Sequence, residues 1–333
     1  MTREVEKAQD LGPSTMTTVA ELLDAWWPVA RTNLSPSTVR NQTALIESII
    51  KPRIGPVPLA RLDVGALDRL YARLSAEGGA RGGPLAPASV RRFHSVVSAA
   101  LGRAVKWGWT SRNPAADATP PALAAREIQA PEPAQVAAII EESPVVNPGL
   151  PLFFRLAAVT GARRSELFAL RRSDIDVANG ALRVAHGVVI GPDRARAFND
   201  TKTHAARRFA LDETTLRALS RHRKDQAKVA AAIGTPLAGD PFVFTHTADG
   251  SECWSPEYPS RAFDRIKHRL GYPTIRLHDL RHFTATRMLA NGTDIRKVAG
   301  RLGHRNVAVT LNTYSHFVPA ADRDAAEHLG QLI

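Results

Sequence analysis

The chain has 333 residues, enough for two ordinary domains that each bury a core, so size alone requires neither disulfides nor a structural metal. Its 44 Lys+Arg against 32 Asp+Glu leave +12, split as 16 basic against 11 acidic residues up to residue 130 and 28 against 21 beyond; this reads as basic faces on folded domains, with nucleic acid the common partner and plain solubility the alternative. One cysteine, Cys253, excludes an internal disulfide and a multi-cysteine zinc site, and the lack of any run of about 18 apolar residues argues for a cytoplasmic chain without membrane contact.

In chain order, residues 1–16 mix charge with Gly12, Pro13 and Ser14 and read as a flexible leader. A helix then starts from a Thr cap at TTVAELLDAWW. A second is capped by Ser35 with Pro36 at its first position and carries Val39, Thr43, Ile46 and Ile50 on one stripe. A third is expected from about Val64 to Leu74, and a fourth from about Pro87 to Trp107, where Val90, Phe93, Val97, Leu101 and Val105 recur at steps of three or four. These make a four-helix unit over residues 17–115. The Pro/Ala-rich stretch over 116–133 has no apolar period and reads as an extended linker.

Residues 134–333 form the second expected domain. Helices are predicted from about Ala134 to Glu142, from Leu150 to Val159 with Gly161 as the stop, and from about Arg163. The period then changes to two: ALRVAHGVVI and RRFAL alternate as strands do, around a polar connection of Asn199 to Thr203, which predicts one small antiparallel sheet. Asp212 caps a further helix to about Ala232, and Gly271, Gly292 and Gly303 punctuate three or four short ones. The fold class is mainly α (α+β), a helical N-terminal domain followed by a mostly helical domain with a small sheet.

Phosphate-loop, dinucleotide, HExxH and GxSxG signatures are missing. What stands out is a crowd of Arg and His: Arg163 and Arg164 after a Gly turn, Lys202, HDLRH at 278–282 and GHR at 303–305. On a helix His278 and Arg281 face the same way, but HxxR alone is weak, since His204 and Arg207 repeat it by chance. Cutting a DNA phosphodiester without a metal needs two Arg forks on the non-bridging oxygens, a hydroxyl nucleophile and a proton donor for the leaving oxygen. Tyrosine suits as nucleophile because a phosphotyrosine bond can be rejoined, but with a pKa near ~10 it must sit among cations or beside a base. Of the four tyrosines only Tyr314 lies beside the cluster in sequence; Tyr71, Tyr258 and Tyr272 do not.

The ordered segments TGARRSELFAL, TKTHAARRFAL, HDLRHFTATRML and LGHRNVAVTLNTYSHF together resemble the tyrosine recombinase, or phage integrase, family. The resemblance covers residues 17–320, with its specific part in the second domain. It implies a core-binding domain (SAM-like, helical) over 17–115 and a catalytic domain over 134–333. It further implies Arg163 and Arg281 as phosphate clamps, Lys202 as donor to the leaving 5′ oxygen, and His278 as an aid to proton transfer from the tyrosine. His304 would bind a phosphate oxygen, and Tyr314 would be the nucleophile that forms a 3′-phosphotyrosyl intermediate. No metal or other cofactor is implied.

Glu166 is expected to anchor the arginine turn, with Asp279 and His282 either orienting neighbours or simply packed. Arg40, Arg91, Arg92, Lys106, Arg207 and Arg208 are the candidate DNA contacts, and Arg171, Arg172 and Arg305 are expected on the DNA backbone or in solvent. The implied partners are double-stranded DNA core or attachment sites, three further copies in a synaptic tetramer formed from monomers, and a directionality factor, all in the bacterial cytoplasm. About 16 residues precede Thr17, where integrases of the lambda type carry an arm-binding domain, so a two-domain recombinase acting at simple core sites is expected. The C-terminal PAADRDAAEHLGQLI is expected to form a helix with Ala325, Leu329 and Leu332 on one face, docking on a neighbouring subunit.

The reading is an integrase that inserts and excises a phage or other mobile element. The alternatives are a Xer-like resolvase of chromosome or plasmid multimers, a type IB topoisomerase, and, in another class, a DNA-binding regulator whose site is no longer used.

Overall fold

The computed structural model describes residues 17–79, 82–123, 129–191, 196–200, 206–304, 306–314, 327 and 329–331. The expected leader, Lys202, His204, Arg305 and most of the C-terminal tail lie outside the described residues. The chain divides into two compact units, Met1–Arg126 with Ile190–Ala195, and Glu127–Val189 with Arg196–Ile333.

The first unit is helical. Thr18 is the expected Thr cap and starts α1 (Val19–Ala30) reciprocally: the Glu21 N–H donates to Thr18 Oγ1 at 3.3 Å and the Thr18 N–H to Glu21 Oε2 at 2.8 Å. Ser35 caps α2 (Pro36–Leu45), which runs through a π-helical turn over Ile46–Ile50 into α3 (Lys51–Ile54). The wider turn shifts the expected stripe: Ile46, Ile50 and Ile54 are buried, whereas Thr43 accepts a hydrogen bond from the Trp27 indole at 2.9 Å. Asp63 caps α4 (Val64–Glu77), and α5 (Pro87–Lys106) buries Val90, Phe93, Val97 and Leu101 against it and α1.

The start of the expected linker is folded rather than extended. Asn113 accepts from the Ala115 N–H and donates to the Ser98 carbonyl, both at 3.0 Å. Ala115 and Ala118 are buried in the core of this unit, and the Thr119 N–H donates to Asp68. Small side chains with no helical period can still fill a core groove, which is why composition misled here.

The second unit is built around Phe153 of α7 (Leu150–Thr160), whose ring stacks on Phe168 at 5.4 Å and meets Phe244 edge-on at 5.0 Å. It is preceded by α6 (Pro133–Glu142) and followed by α8 (Arg164–Ala169). Then come β1 (Ile175–Asp176), β2 (Ala181–Val184), β3 (His186–Ile190), β4 (Arg196–Asp200) and β5 (Arg207–Ala210). These make two sheets where one was expected: an antiparallel β1-β2-β5, with Leu182 opposite Phe209 and Val184 opposite Arg207, and a separate β3-β4 pair. Both edges of β2 are already taken, so β3 cannot join it and pairs with β4 instead.

Four helices follow α9 (Glu213–Ala232): α10 (Tyr258–Arg269), α11 (Asp279–Ala290), α12 (Ile295–Leu302) and α13 (Val307–Tyr314). Among the described residues no helix is long and apolar enough to cross a membrane.

Candidate active site

α7 ends at Gly161 with φ +64°, a left-handed cap that turns the chain sharply into Arg163, the N-cap residue of α8. The Arg163 backbone N–H donates to Glu166 Oε2 at 2.7 Å and its Nη1 to Glu166 Oε1 at 2.9 Å, so the buried carboxylate carries both the turn and the side chain. Arg281, on the first turn of α11, is 5% exposed; its Nη1 donates to the Gly161 carbonyl and its Nη2 to the Leu302 carbonyl at 2.6 Å. Arg163 Nη2 reaches the adjacent Gly303 carbonyl at 3.2 Å. The carbonyls at the C-terminal end of α12 lack helical partners and carry partial negative charge, which is why two guanidiniums converge there.

Arg207 completes this knot and departs from expectation. It was a candidate DNA contact, yet its side chain is 9% exposed, with Nη2 bonded to Glu166 and Nη1 donating to the Leu302 carbonyl at 2.7 Å. On β5 its alternation sends it inward, opposite Val184. Arg171 and Arg172 are also tied to protein: Arg171 Nη1 donates to the Asp240 carbonyl and its guanidinium lies 4.0 Å from the Phe242 ring centroid, while Arg172 Nη2 donates to Gln226. Arg208 stays exposed and pairs with Asp176 at 2.7 Å. Arg91, Arg92 and Lys106 are exposed on α5 and Arg40 half-buried on α2, all in the first unit. Lys202 lies outside the described residues.

A cleft of about 400 Å³ is lined by Arg163, Arg164, Ser165, Ser260, His278 and Arg281. Arg164 bonds Ser260 on its wall. Arg163 and Arg207 pair with the buried carboxylate of Glu166, and Arg281 lies in the field of all three; burial, with Arg163 adding to it, brings Arg281 down to about 10. Such a cleft suits an anion with several oxygens. Among the described residues no group of three or more His, Cys, Asp or Glu is placed to hold a metal ion.

His282, His304 and Tyr314 are not in the lining of the cleft. His304 follows Gly303, the left-handed cap of α12, and its Nδ1 is 2.8 Å from Thr310 Oγ1. Burial, followed by the fields of Arg281, Arg163 and Arg207, holds His304 at about 4. His278 stands at the rim, held below its ordinary value first by desolvation and then by Arg281. Tyr314 was expected among cations or beside a base; it is 1% exposed beside a base, His282, and burial raises it to about 12 against the opposing pull of Arg281. Its hydroxyl lies 2.6 Å from His282 Nδ1, a contact that sequence spacing did not single out.

A model of the phage integrase family matches residues 132–320, and one of the phage integrase N-terminal SAM-like domain matches 18–75. The chain belongs to the phage integrase family. It is therefore a tyrosine recombinase, an enzyme of DNA strand cleavage and rejoining. The tyrosine recombinase XerC-like protein of Caldanaerobacter subterraneus subsp. tengcongensis is 23% identical over 95% of this chain and 83% of that protein. The integrase of Mycobacterium phage D29 is 25% identical over 95% of this chain and 79% of that one. The Tn1549 transposon integrase, solved in complex with a circular intermediate DNA, shares the fold: TM-score 0.77 at 20% identity, over 94% of this chain and 99% of that one. For this integrase-family chain the mostly helical α+β class holds, with the correction to two small sheets.

Proposed function

We propose that this chain is a site-specific recombinase that cuts and rejoins duplex DNA through a 3′-phosphotyrosyl bond at Tyr314. The observation that carries the reading is convergence: Arg163, Arg281 and His278, from segments over 100 residues apart, line one cationic cleft, with His304 in the field of both arginines and Tyr314 in that of Arg281. In the proposed reaction Arg163 and Arg281 hold the non-bridging oxygens and offset the charge of the pentavalent transition state. The Tyr314 oxygen bonds to phosphorus as its proton leaves with the help of His278, the bond from phosphorus to the 5′ oxygen breaks, and Lys202 supplies that oxygen's proton; rejoining reverses each step. His304 adds a donor at the phosphate.

The first unit, over 17–115, serves as core-binding domain and residues 134–333 as catalytic domain. Arg40, Arg91, Arg92, Lys106 and Arg208 are proposed phosphate contacts. The partners are duplex attachment sites, three further copies in the synaptic complex, and a directionality factor, in a bacterial cytoplasm. Integration and excision of a mobile element is the reading supported by the phage D29 integrase, which aligns over 95% of the chain. Resolution of multimers is the second reading, supported by equal coverage from the XerC-like protein.

The test is a nicked suicide duplex carrying a candidate attachment site, incubated with the protein and run on a denaturing gel. A covalent adduct in the wild type that disappears in Tyr314→Phe, with DNA binding retained, is expected. Tight binding with no adduct in the wild type would favour the regulator reading.

A further inference from the structure

Tyr314 carries the proposed chemistry, and the side chain that meets its hydroxyl is His282 rather than His278. The tyrosine ring packs with Ala285, Val298 and Leu302, and its oxygen lies 2.6 Å from His282 Nδ1, with the ring centroids 5.6 Å apart. His282 in turn meets His278 edge-on, with centroids 5.4 Å apart at 88°, and His278 lines the cleft with Arg163 and Arg281. Tyr314, His282 and His278 thus form a row from the buried hydroxyl to the rim of the cleft.

The sense of the hydrogen bond follows from acidity. Burial, then the field of His278, holds His282 at about 4, and burial holds Tyr314 at about 12, so at neutral pH the imidazole is uncharged and the phenol keeps its proton. A neutral imidazole has one N–H, and a phenol with no other acceptor among the described residues donates to the bare nitrogen. The hydroxyl therefore donates to Nδ1, and the imidazole proton resides on Nε2.

We propose that His282 is a positioning residue for the nucleophile: its Nδ1 accepts the Tyr314 hydroxyl hydrogen and fixes the direction of the oxygen's lone pairs before attack. The inference rests on the proposed function, since it gives a role to a side chain outside the two clamps, the lysine and the tyrosine. A phenol free to rotate presents its hydrogen to an incoming phosphate oxygen as readily as its lone pair to phosphorus. Held by His282, it is constrained to one orientation, and misorientation of a reacting group costs orders of magnitude in rate.

Asn places its Oδ1 where His places Nδ1, so His282→Asn keeps the acceptor and His282→Leu removes it. On the nicked duplex, single-turnover adduct formation is expected to fall about tenfold or more in His282→Leu and to stay within about threefold of wild type in His282→Asn. Equal rates in the two variants, whether both normal or both impaired, would overturn the positioning role; a His282→Leu chain that fails to fold, seen by circular dichroism, leaves the decision to the spectra that follow. Long-range 15N–1H spectra of the DNA-free full chain give a second readout. His282 should show a bare Nδ1 whose resonance moves in Tyr314→Phe, and an unmoved resonance rejects the bond. If the wild type forms no adduct, the recombinase reading itself falls; if it does and Tyr314→Phe does not, failure of the His282 series falls on this inference alone.

Discussion

At the scale of single residues, Glu166 does more than its position in the motif suggests. It is 2% exposed and is the counter-charge for both Arg163 and Arg207, so Glu166→Gln leaves two guanidiniums without their shared carboxylate. Removing one partner of a buried ionic group costs about 3–5 kcal/mol, and a loss of that order is expected in urea unfolding, together with loss of adduct formation as Arg163 swings free. Gly303 is the other point of close tolerance. Its φ is +68°, and a Cβ there would lie 1.6 Å from Arg207 Nη1, an atom already tied to the Leu302 carbonyl. Gly303→Ala should therefore destabilise by roughly 1–3 kcal/mol and displace Arg207, measurable as a lower denaturation midpoint.

At the scale of elements, caps set where helices begin. Asp212 accepts from the Thr215 N–H at 3.0 Å and pairs with Arg155 of α7 at 2.7 Å, joining α9 to the core helix that ends at Gly161. Its carboxyl is brought to about 2: partial burial opposes the shift, and Thr215 and Arg155 outweigh it. Asp212→Ala should cost about 1–2 kcal/mol, with the loss seen by denaturant unfolding at pH 7 and shrinking as pH falls from the ordinary carboxylate value through about 2. Asn113→Ala offers the same test for the segment folded onto the first unit. It removes the hydrogen bonds to Ser98 and Ala115, and about 1 kcal/mol is expected.

At the scale of the whole molecule, buried titrating groups bound the pH range of stability. His282 and His304 are held at about 4 in the folded chain against an unfolded value near ~6.5. Their stabilising contribution is complete above that unfolded value and is lost as pH falls from it towards 4. Tyr314 is shifted the other way, to about 12, so its contribution is complete below the ordinary tyrosine value and is lost as pH rises through 12. Thermal melts across pH should show a plateau between these limits, and His304→Asn should flatten the acid limb; an acid limb unchanged in that variant would remove His304 as its cause. The +12 charge belongs to this scale too: duplex binding should weaken steeply as salt rises from about 50 to 200 mM, through counterion release.

The sequence by itself determined the local features and the family: the Ser35 and Asp212 caps, the Gly161 and Gly303 stops, the period change into strands, and the order of the four motifs. Each of these depends on neighbours within a few residues, where steric and hydrogen-bond preferences act directly. Only the tertiary structure decided which charges meet. Arg207 and Glu166 are 41 residues apart, and His282 and Tyr314 are 32 apart, so no local spacing announces either contact. The same limit applies to Asn113–Ala118, where small side chains carry no period and only the groove they fill shows that they belong to a core. Whether an arginine reaches out to a ligand or turns in to a carboxylate depends on what the rest of the fold leaves beside it.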